Sequence, residues 1–177
     1  MRRVCYAVAM SLAGYIAGPN GEADWIIMDP DIDFRALFDR FDTFLLGRRT
    51  FEGMGGAGIG AQSSTQTIVF SRTLRQEDHP NVTIVSEEPE QALADQRSKS
   101  GGKDIWLFGG GSLFRSLLEA RQVDTVEVSV IPVLLGEGIP LLPSDPSSER
   151  FKLKLTSSRV FKTGIVSLEY AVEYEPA

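Results

Sequence analysis

Short apolar runs alternate with segments of helical spacing over the first two thirds of this chain. Val4 to Met10 predicts a strand, with Val4, Tyr6, Val8 and Met10 on one face and the smaller Cys5, Ala7 and Ala9 on the other. Ser11 to Ala17 leads into the turn Gly18-Pro19-Asn20-Gly21. An apolar patch, Trp25 to Met28, ends in Asp29-Pro30-Asp31, and Asp31 or Asp33 caps a helix whose inner face is Phe34, Leu37, Phe38 and Phe41. Thr43 to Leu46, Thr67 to Phe70 and Val82 to Val85 read as short strands. Phe51 and Met54 lie on a short helix after Gly47, and Gly55 to Ser64 is a glycine- and serine-rich loop. Pro89 to Ser98 predicts a surface helix with Ala92 and Leu93 inward. Ile105 to Phe108 is a buried strand, followed by three glycines and then by Leu113, Phe114, Leu117 and Leu118 at helical spacing.

The last third has a different rhythm. Val123 to Val133 alternates, with Val126, Val128 and Val130 set against Glu127 and Ser129, and Pro132 suits a strand end or bulge. Leu134 to Pro140 is a glycine-rich apolar loop, and Pro143 to Glu149 is polar. Phe151 to Phe161 and Ile165 to Tyr174 form two long strands around Lys162-Thr163-Gly164, an antiparallel hairpin. Strands alternating with helices make parallel βα units. The reading is therefore a single α/β domain over residues 1–177: a three-layer, mostly parallel central sheet with flanking helices and an antiparallel C-terminal hairpin.

Composition narrows the chemistry. The chain has 177 residues, 42% of them hydrophobic and 24% charged, with a net charge of -6. No basic stripe is present to neutralise phosphates, which argues against a nucleic-acid partner. The single cysteine, Cys5, excludes an internal disulfide and a multi-cysteine zinc cluster, and is read as a small buried hydrophobe. The single histidine, His79, lies in a polar run from Arg75 to Asn81, so no metal centre or Ser-His-Asp machinery is expected. No apolar run is long enough to span a membrane. The N-terminal MRRVCYAVAMSLAG reads as the first strand and not as a signal peptide, which places the protein in the cytoplasm.

Candidate chemistry gathers where strands give way to helices. Gly109, Gly110 and Gly111 follow a buried strand and precede a helix, the arrangement that lets a backbone approach a pyrophosphate. The alternative is a tight connection without a ligand. Gly47-Arg48-Arg49-Thr50 repeats the junction with two guanidinium groups, which suit phosphate oxygens or are simply solvated. Ser71-Arg72 adds a hydroxyl and a cation past another strand. Parallel α/β sheets bind ligands at the carboxyl ends of their strands, and Gly14, Gly47, Ser71 and Gly109 all lie there.

Five segments carry a family resemblance: MSLAGYIAGPNGEADW (Met10 to Trp25), DTFLLGRRTFE (Asp42 to Glu52), TIVFSR (Thr67 to Arg72), IWLFGGGSLFRSLL (Ile105 to Leu118) and IPVLLGEGIPLLP (Ile131 to Pro143). In order and over most of the chain, they resemble the dihydrofolate-reductase-like superfamily. The resemblance is nearer to the reductase domain of bifunctional riboflavin-biosynthesis proteins and its stand-alone relatives. It implies an NADPH-dependent reductase. Gly47 and Thr50 then match positions at the cofactor phosphates, and Arg48 a cation near the adenosine 2′-phosphate. Ser71 and Arg72 lie on the same side. Phe108, Gly109, Gly110, Gly111, Ser112 and Leu113 match the turn and helix start under the pyrophosphate. Ala7, Ile16 and Ala17 match the wall beside the nicotinamide. Arg48, Arg49 and Arg72 would separate NADPH from NADH, which lacks a phosphate of nearly two negative charges.

The same resemblance implies a planar heterocyclic substrate, for example 5-amino-6-(5-phosphoribosylamino)uracil. Ala13 stands where the family often has an aspartate that contributes to recognising that substrate. Asp31 or Asp33 lies where dihydrofolate reductases hold the pterin with a carboxylate, and either residue serves equally as a helix cap. Glu137, between Gly136 and Gly138, is a further candidate catalytic group. Tyr15 is a candidate to stack on a planar ring, and Trp25, Phe34 and Phe38 belong either to the core or to the pocket. Dihydrofolate reduction and a non-catalytic nucleotide-binding module are the competing readings. Relatives of this kind are often homodimers, for which Val123 to Val133 and the C-terminal hairpin offer an apolar face.

Overall fold

The computed structural model describes residues 1–59, 65–146 and 150–175. An eight-stranded sheet is built from β1 (Val4–Ser11), β3 (Phe41–Gly47), β4 (Gln66–Phe70), β5 (Thr83–Val85), β6 (Asp104–Gly109), β7 (Thr125–Ile131), β9 (Lys152–Val160) and β10 (Val166–Glu173). Its order is β5-β4-β3-β6-β1-β7-β10-β9. The strands from β5 to β7 in that order pair in parallel, and β10 and β9 join antiparallel. The architecture is thus three-layered α/β with a mostly parallel sheet and a C-terminal hairpin, as the sequence pattern predicts. Two very short strands, β2 (Tyr15–Ala17) and β8 (Ile139–Pro140), were not predicted and pair with each other beside the main sheet.

Both faces of β1 are covered. Val4 and Tyr6 pack with Leu93 of α3 (Pro89–Ser98) and with Phe114, Leu117 and Leu118 of α4 (Gly111–Glu119). Cys5 and Ala7 pack on the other side with Phe41, Phe44, Trp106 and Phe51 of α2 (Arg48–Gly53). A parallel strand buried on both faces needs apolar side chains at odd and even positions alike, as VCYAVA has.

The first helix corrects the sequence reading. Here α1 spans Phe34–Asp39, and Arg40 ends it with its N–H on the carbonyls of Leu37 and Phe38. Phe41 is the first residue of β3, opposite Asp104 of β6, and not part of a helical face. No residue of α1 is buried, so Phe34 and Phe38 are not core residues. Helical spacing identified the side of α1 that carries the aromatic rings but not what that side meets.

A second correction concerns β7. This strand lies between β1 and β10 inside the sheet, with Val126 and Val128 buried in the core. It offers no face to a partner, and the edge strand of the C-terminal hairpin is β9. Pro132 falls just past the end of β7, where its missing N–H interrupts no ladder. The expected loop is described as far as Ile59, and its remainder, 60–64, lies outside the described residues. Among the described residues, no helix is long and apolar enough to cross a membrane.

Candidate functional site

Strands β1 and β6 pair only at Val4, Cys5 and Tyr6, opposite Ile105, Trp106 and Leu107. Beyond Tyr6 the pairing stops, while β1 continues along β7 as far as Ser11. The carbonyl of Ala7 accepts instead from the indole N–H of Trp106 at 2.9 Å. Beyond this parting lies a cleft of about 1990 Å³, lined by residues at the carboxyl ends of β3, β4 and β6 and by the sheet surface of β1 and β7.

The glycines set the geometry of its centre. A Cβ at Gly109 would lie 3.0 Å from Thr50 Cγ2 and 3.2 Å from its hydroxyl. A Cβ at Gly111 would lie 3.0 Å from Pro143 Cδ and 3.1 Å from the carbonyl of Pro140. Gly110 has φ +96°, outside the range that L side chains favour. The starts of α2 and α4 are thereby brought close: a Cβ at Gly47, which precedes α2, would lie 3.7 Å from the carbonyl of Gly109. No side chain caps α4. Its first N–H groups have no intrahelical acceptor, and Gly111, Ser112 and Leu113 line the cleft.

Every residue expected to hold the cofactor lines this one cleft: Ala7, Ile16, Ala17, Gly47, Arg48, Arg49, Thr50, Ser71, Arg72, Phe108, Gly109, Gly110, Gly111, Ser112 and Leu113. Two of them have further duties. Arg48 and Glu52 form an exposed ion pair at 3.4 Å, one helical turn apart. The Ser71 hydroxyl accepts from the N–H groups of Thr73 (3.2 Å) and Leu74 (3.0 Å), which shapes the loop after β4. Arg49 and Arg72 are exposed.

Asp31, Asp33 and Glu137 are exposed and do not line the cleft. Asp33 caps α1, accepting from the Ala36 N–H at 2.9 Å. Tyr15 belongs to β2 and packs on the loop at Gly138, and Trp25 donates its indole N–H to the carbonyl of Glu22. Neither lines the cleft, whereas Phe34, Leu37 and Phe38 do. The carboxylate buried near α1 is that of Asp29. It accepts from the Asp31 N–H (2.8 Å) and from the Thr163 hydroxyl (2.7 Å) and N–H (3.1 Å). The Thr163 hydroxyl, followed by the Asp31 N–H, holds the Asp29 carboxyl below the usual aspartate range. This latch ties the segment before α1 to the turn between β9 and β10.

The lining also contains residues that the sequence reading left aside. Glu127 projects from β7 on the side opposite Val126 and Val128, its side chain 12% exposed. Arg40 grips it bidentately, at 2.6 and 2.8 Å. Burial pushes the Glu127 carboxyl up, but hydrogen bonds from Arg40 and Cys5 and the charge of Arg40 outweigh this and hold it below the usual range. Burial raises the Cys5 thiol well above its ordinary value, and the neighbouring Glu127 charge adds to this. Ser129 and Ser167, paired across β7 and β10, line the same floor. The signal was a glutamate on an alternating strand. It reads as a solvated face if the sheet has one covered side, and as a pocket group if both sides are covered.

Comparison with known proteins agrees with this fold. The family described as RibD C-terminal domain matches residues 2–167. The uncharacterized protein YyaP of Bacillus subtilis is 36% identical, over 96% of this chain and 94% of its own length. Among solved structures, a Shewanella sp. PV-4 protein ascribed to riboflavin biosynthesis superposes with a TM-score of 0.80 at 24% identity, covering 98% of this chain and all of that one. Dihydrofolate reductase from Enterococcus faecalis, complexed with NADP(H), superposes with a TM-score of 0.68 at 22% identity, covering 97% of each chain.

Proposed function

This chain belongs to the RibD C-terminal domain family, and from that membership we propose that it is an NADPH-dependent reductase of a planar heterocycle. The observation that carries the reading is convergence. Cofactor-type residues from five separate segments line one cleft, around an α4 N-terminus that no side chain caps. The first-turn N–H groups of Gly111, Ser112 and Leu113 suit the pyrophosphate, since they offer unpaired donors and the positive end of the helix dipole. The guanidinium groups of Arg48, Arg49 and Arg72 suit the 2′-phosphate. Gly109 and Gly110 keep the backbone free of side chains where the dinucleotide would pass.

NADPH, when bound, supplies the hydride. The chain supplies position and dryness. Ala7 and Ala9 leave room over β1 for a flat ring, and Ile16 and Ala17 close one side. Trp106, held by the Ala7 carbonyl, packs within 5.0 to 5.9 Å of Phe38, Phe41, Phe44 and Phe108. Phe38, Trp106 and Phe108 of this cluster give the sheet end of the cleft an apolar wall, where a substrate ring would face the nicotinamide. A riboflavin-pathway aminopyrimidine such as 5-amino-6-(5-phosphoribosylamino)uracil is the first substrate to try. Dihydrofolate is the control acceptor. The proposal includes a homodimer formed along β9, the exposed edge of the sheet.

Titration with NADPH and NADH, followed by nicotinamide fluorescence, tests the reading. The expected result is preferential NADPH binding, weakened about tenfold in Arg48→Ala by loss of a charge-assisted contact. Failure to bind either dinucleotide overturns it.

A further inference from the structure

Among the described residues, the cleft is apolar over most of its sheet end, with one charged exception. Ala7, Ala9, Trp106, Phe108, Ile131 and Ile165 line it there, and Glu127 stands among them. The other carboxylates in the lining, Glu52, Glu87, Glu88 and Glu90, belong to α2 and to the segment after β5, on the β3–β4–β5 half of the sheet.

A carboxylate on an interior strand is costly unless it is paired. Arg40 pairs with it, but Arg40 comes from the end of α1 and is not among the cleft-lining residues. The cation therefore sits outside and the anion faces the cavity. An ion pair that only tied α1 to the sheet would not need its anion in the lining. The two oxygens each accept one bond from Arg40 and one of them also accepts from the Cys5 thiol, so one of about four acceptor sites is left for a ligand. The Ser129 and Ser167 side chains lie on the same floor, at cross-strand positions next to Glu127 and Glu169.

We propose that Glu127 is the specificity-determining acceptor of the substrate half of the cleft, taking N–H donors from the edge of an amino- or imino-bearing heterocycle. This rests on the reading of that half as the substrate pocket. A ring edge bearing amino groups can hydrogen-bond to the carboxylate. An edge bearing methyl groups leaves its remaining acceptor site desolvated and unsatisfied while Arg40 still holds the other lone pairs, which is the stronger source of discrimination.

Two ring-matched probes, 2,4-diaminopyrimidine and 2,4-dimethylpyrimidine, test the assignment. Binding to the purified full chain at pH about 8, where the carboxylate is ionised, is measured by ligand-observed nuclear magnetic resonance, with and without NADPH. The wild type is expected to prefer the diamino ring by about tenfold or more, the effect of one charge-assisted hydrogen bond. Glu127→Gln is nearly isosteric and keeps an oxygen for Arg40. It is expected to bring the two probes within about twofold while NADPH affinity is unchanged. Arg40→Gln breaks the ion pair but leaves the carboxylate in the cleft, and is expected to retain the preference. A preference that survives in Glu127→Gln overturns the proposal. So does equal loss in both variants, which assigns the pair to architecture alone, and so does a wild type that binds the two probes equally or binds neither. A wild type that prefers the diamino ring but does not bind NADPH overturns the reductase reading and leaves the acceptor assignment standing.

Discussion

Gly109 has a steric task as well as a conformational one. Its missing Cβ leaves room for Thr50, whose Cγ2 would be 3.0 Å from that atom. Gly109→Ala is therefore expected to cost about 1–3 kcal/mol by overpacking, measured by urea denaturation. Adding Thr50→Ser removes the methyl group, so the double variant is expected to recover part of that loss. Simple additivity of the two would show that the contact is not the cause. Gly110→Ala acts differently. Its Cβ would meet only the Thr50 hydroxyl, at 3.7 Å, so its cost of about 1–3 kcal/mol comes from the positive φ. The triple glycine was legible as a junction between a strand and a helix. Its division into one close approach to α2, one backbone inversion and one approach to the Pro140–Pro143 segment was not, because the partners lie far away in sequence.

At the scale of elements, α1 and its approach form a wall held from outside. Ile26, Ile27, Met28, Phe34 and Phe38 line the cleft from this segment, and Asp29 fastens it to Thr163 in the hairpin turn. Because the folded carboxyl is held below the ordinary aspartate value of about 3.9, its contribution is complete above that value. The contribution fades as pH falls through the lower folded value. Thr163→Val removes the hydroxyl and brings the Asp29 carboxyl back toward its ordinary range. The variant is expected to melt below the wild type at pH about 7, and the gap is expected to narrow as pH falls below about 4. A gap of constant size across that range would separate the loss from the carboxylate. A cap at Asp31 or Asp33 was legible from the place of both before Phe34, and the fold gives it to Asp33, while the buried Asp29 was not legible, since its partner is 134 positions away.

For the molecule as a whole, among the described residues the sheet has one edge long enough to pair with another copy. Strand β9 is exposed along its length, with Leu153 and Leu155 at 43% and 52% exposure. An uncovered strand of that kind is a template for association. Light scattering is expected to give twice the chain mass, and Leu155→Lys to shift the population toward the single chain, since a buried lysine at a strand-to-strand contact is costly. A single-chain mass for the unmodified protein at all concentrations would remove the dimer from the proposal. The order β6-β1-β7 explains why the cleft lies where it does: β1 follows β7 throughout but leaves β6 after Tyr6.

Local rules determined most of the elements, because periodicity, glycine breaks and caps depend on residues a few positions apart. VCYAVA, TFLL and IWLF are recognisable as buried strands, and SLFRSLL as a helix with an inward face, without knowledge of their neighbours. The glycine- and arginine-bearing segments were recognisable for the same reason, as short junctions at strand ends. Only the tertiary structure decided what each face meets. It turned Phe34 and Phe38 toward a cleft instead of a core, placed Phe41 in a strand, and set the Val126–Val130 face inside the sheet. It also made Glu127 a pocket carboxylate by covering the sheet on both sides and bringing Arg40 across from α1. Burial and pairing are sums over residues distant in sequence, so the chemistry of a charged side chain is settled only when its surroundings have closed around it.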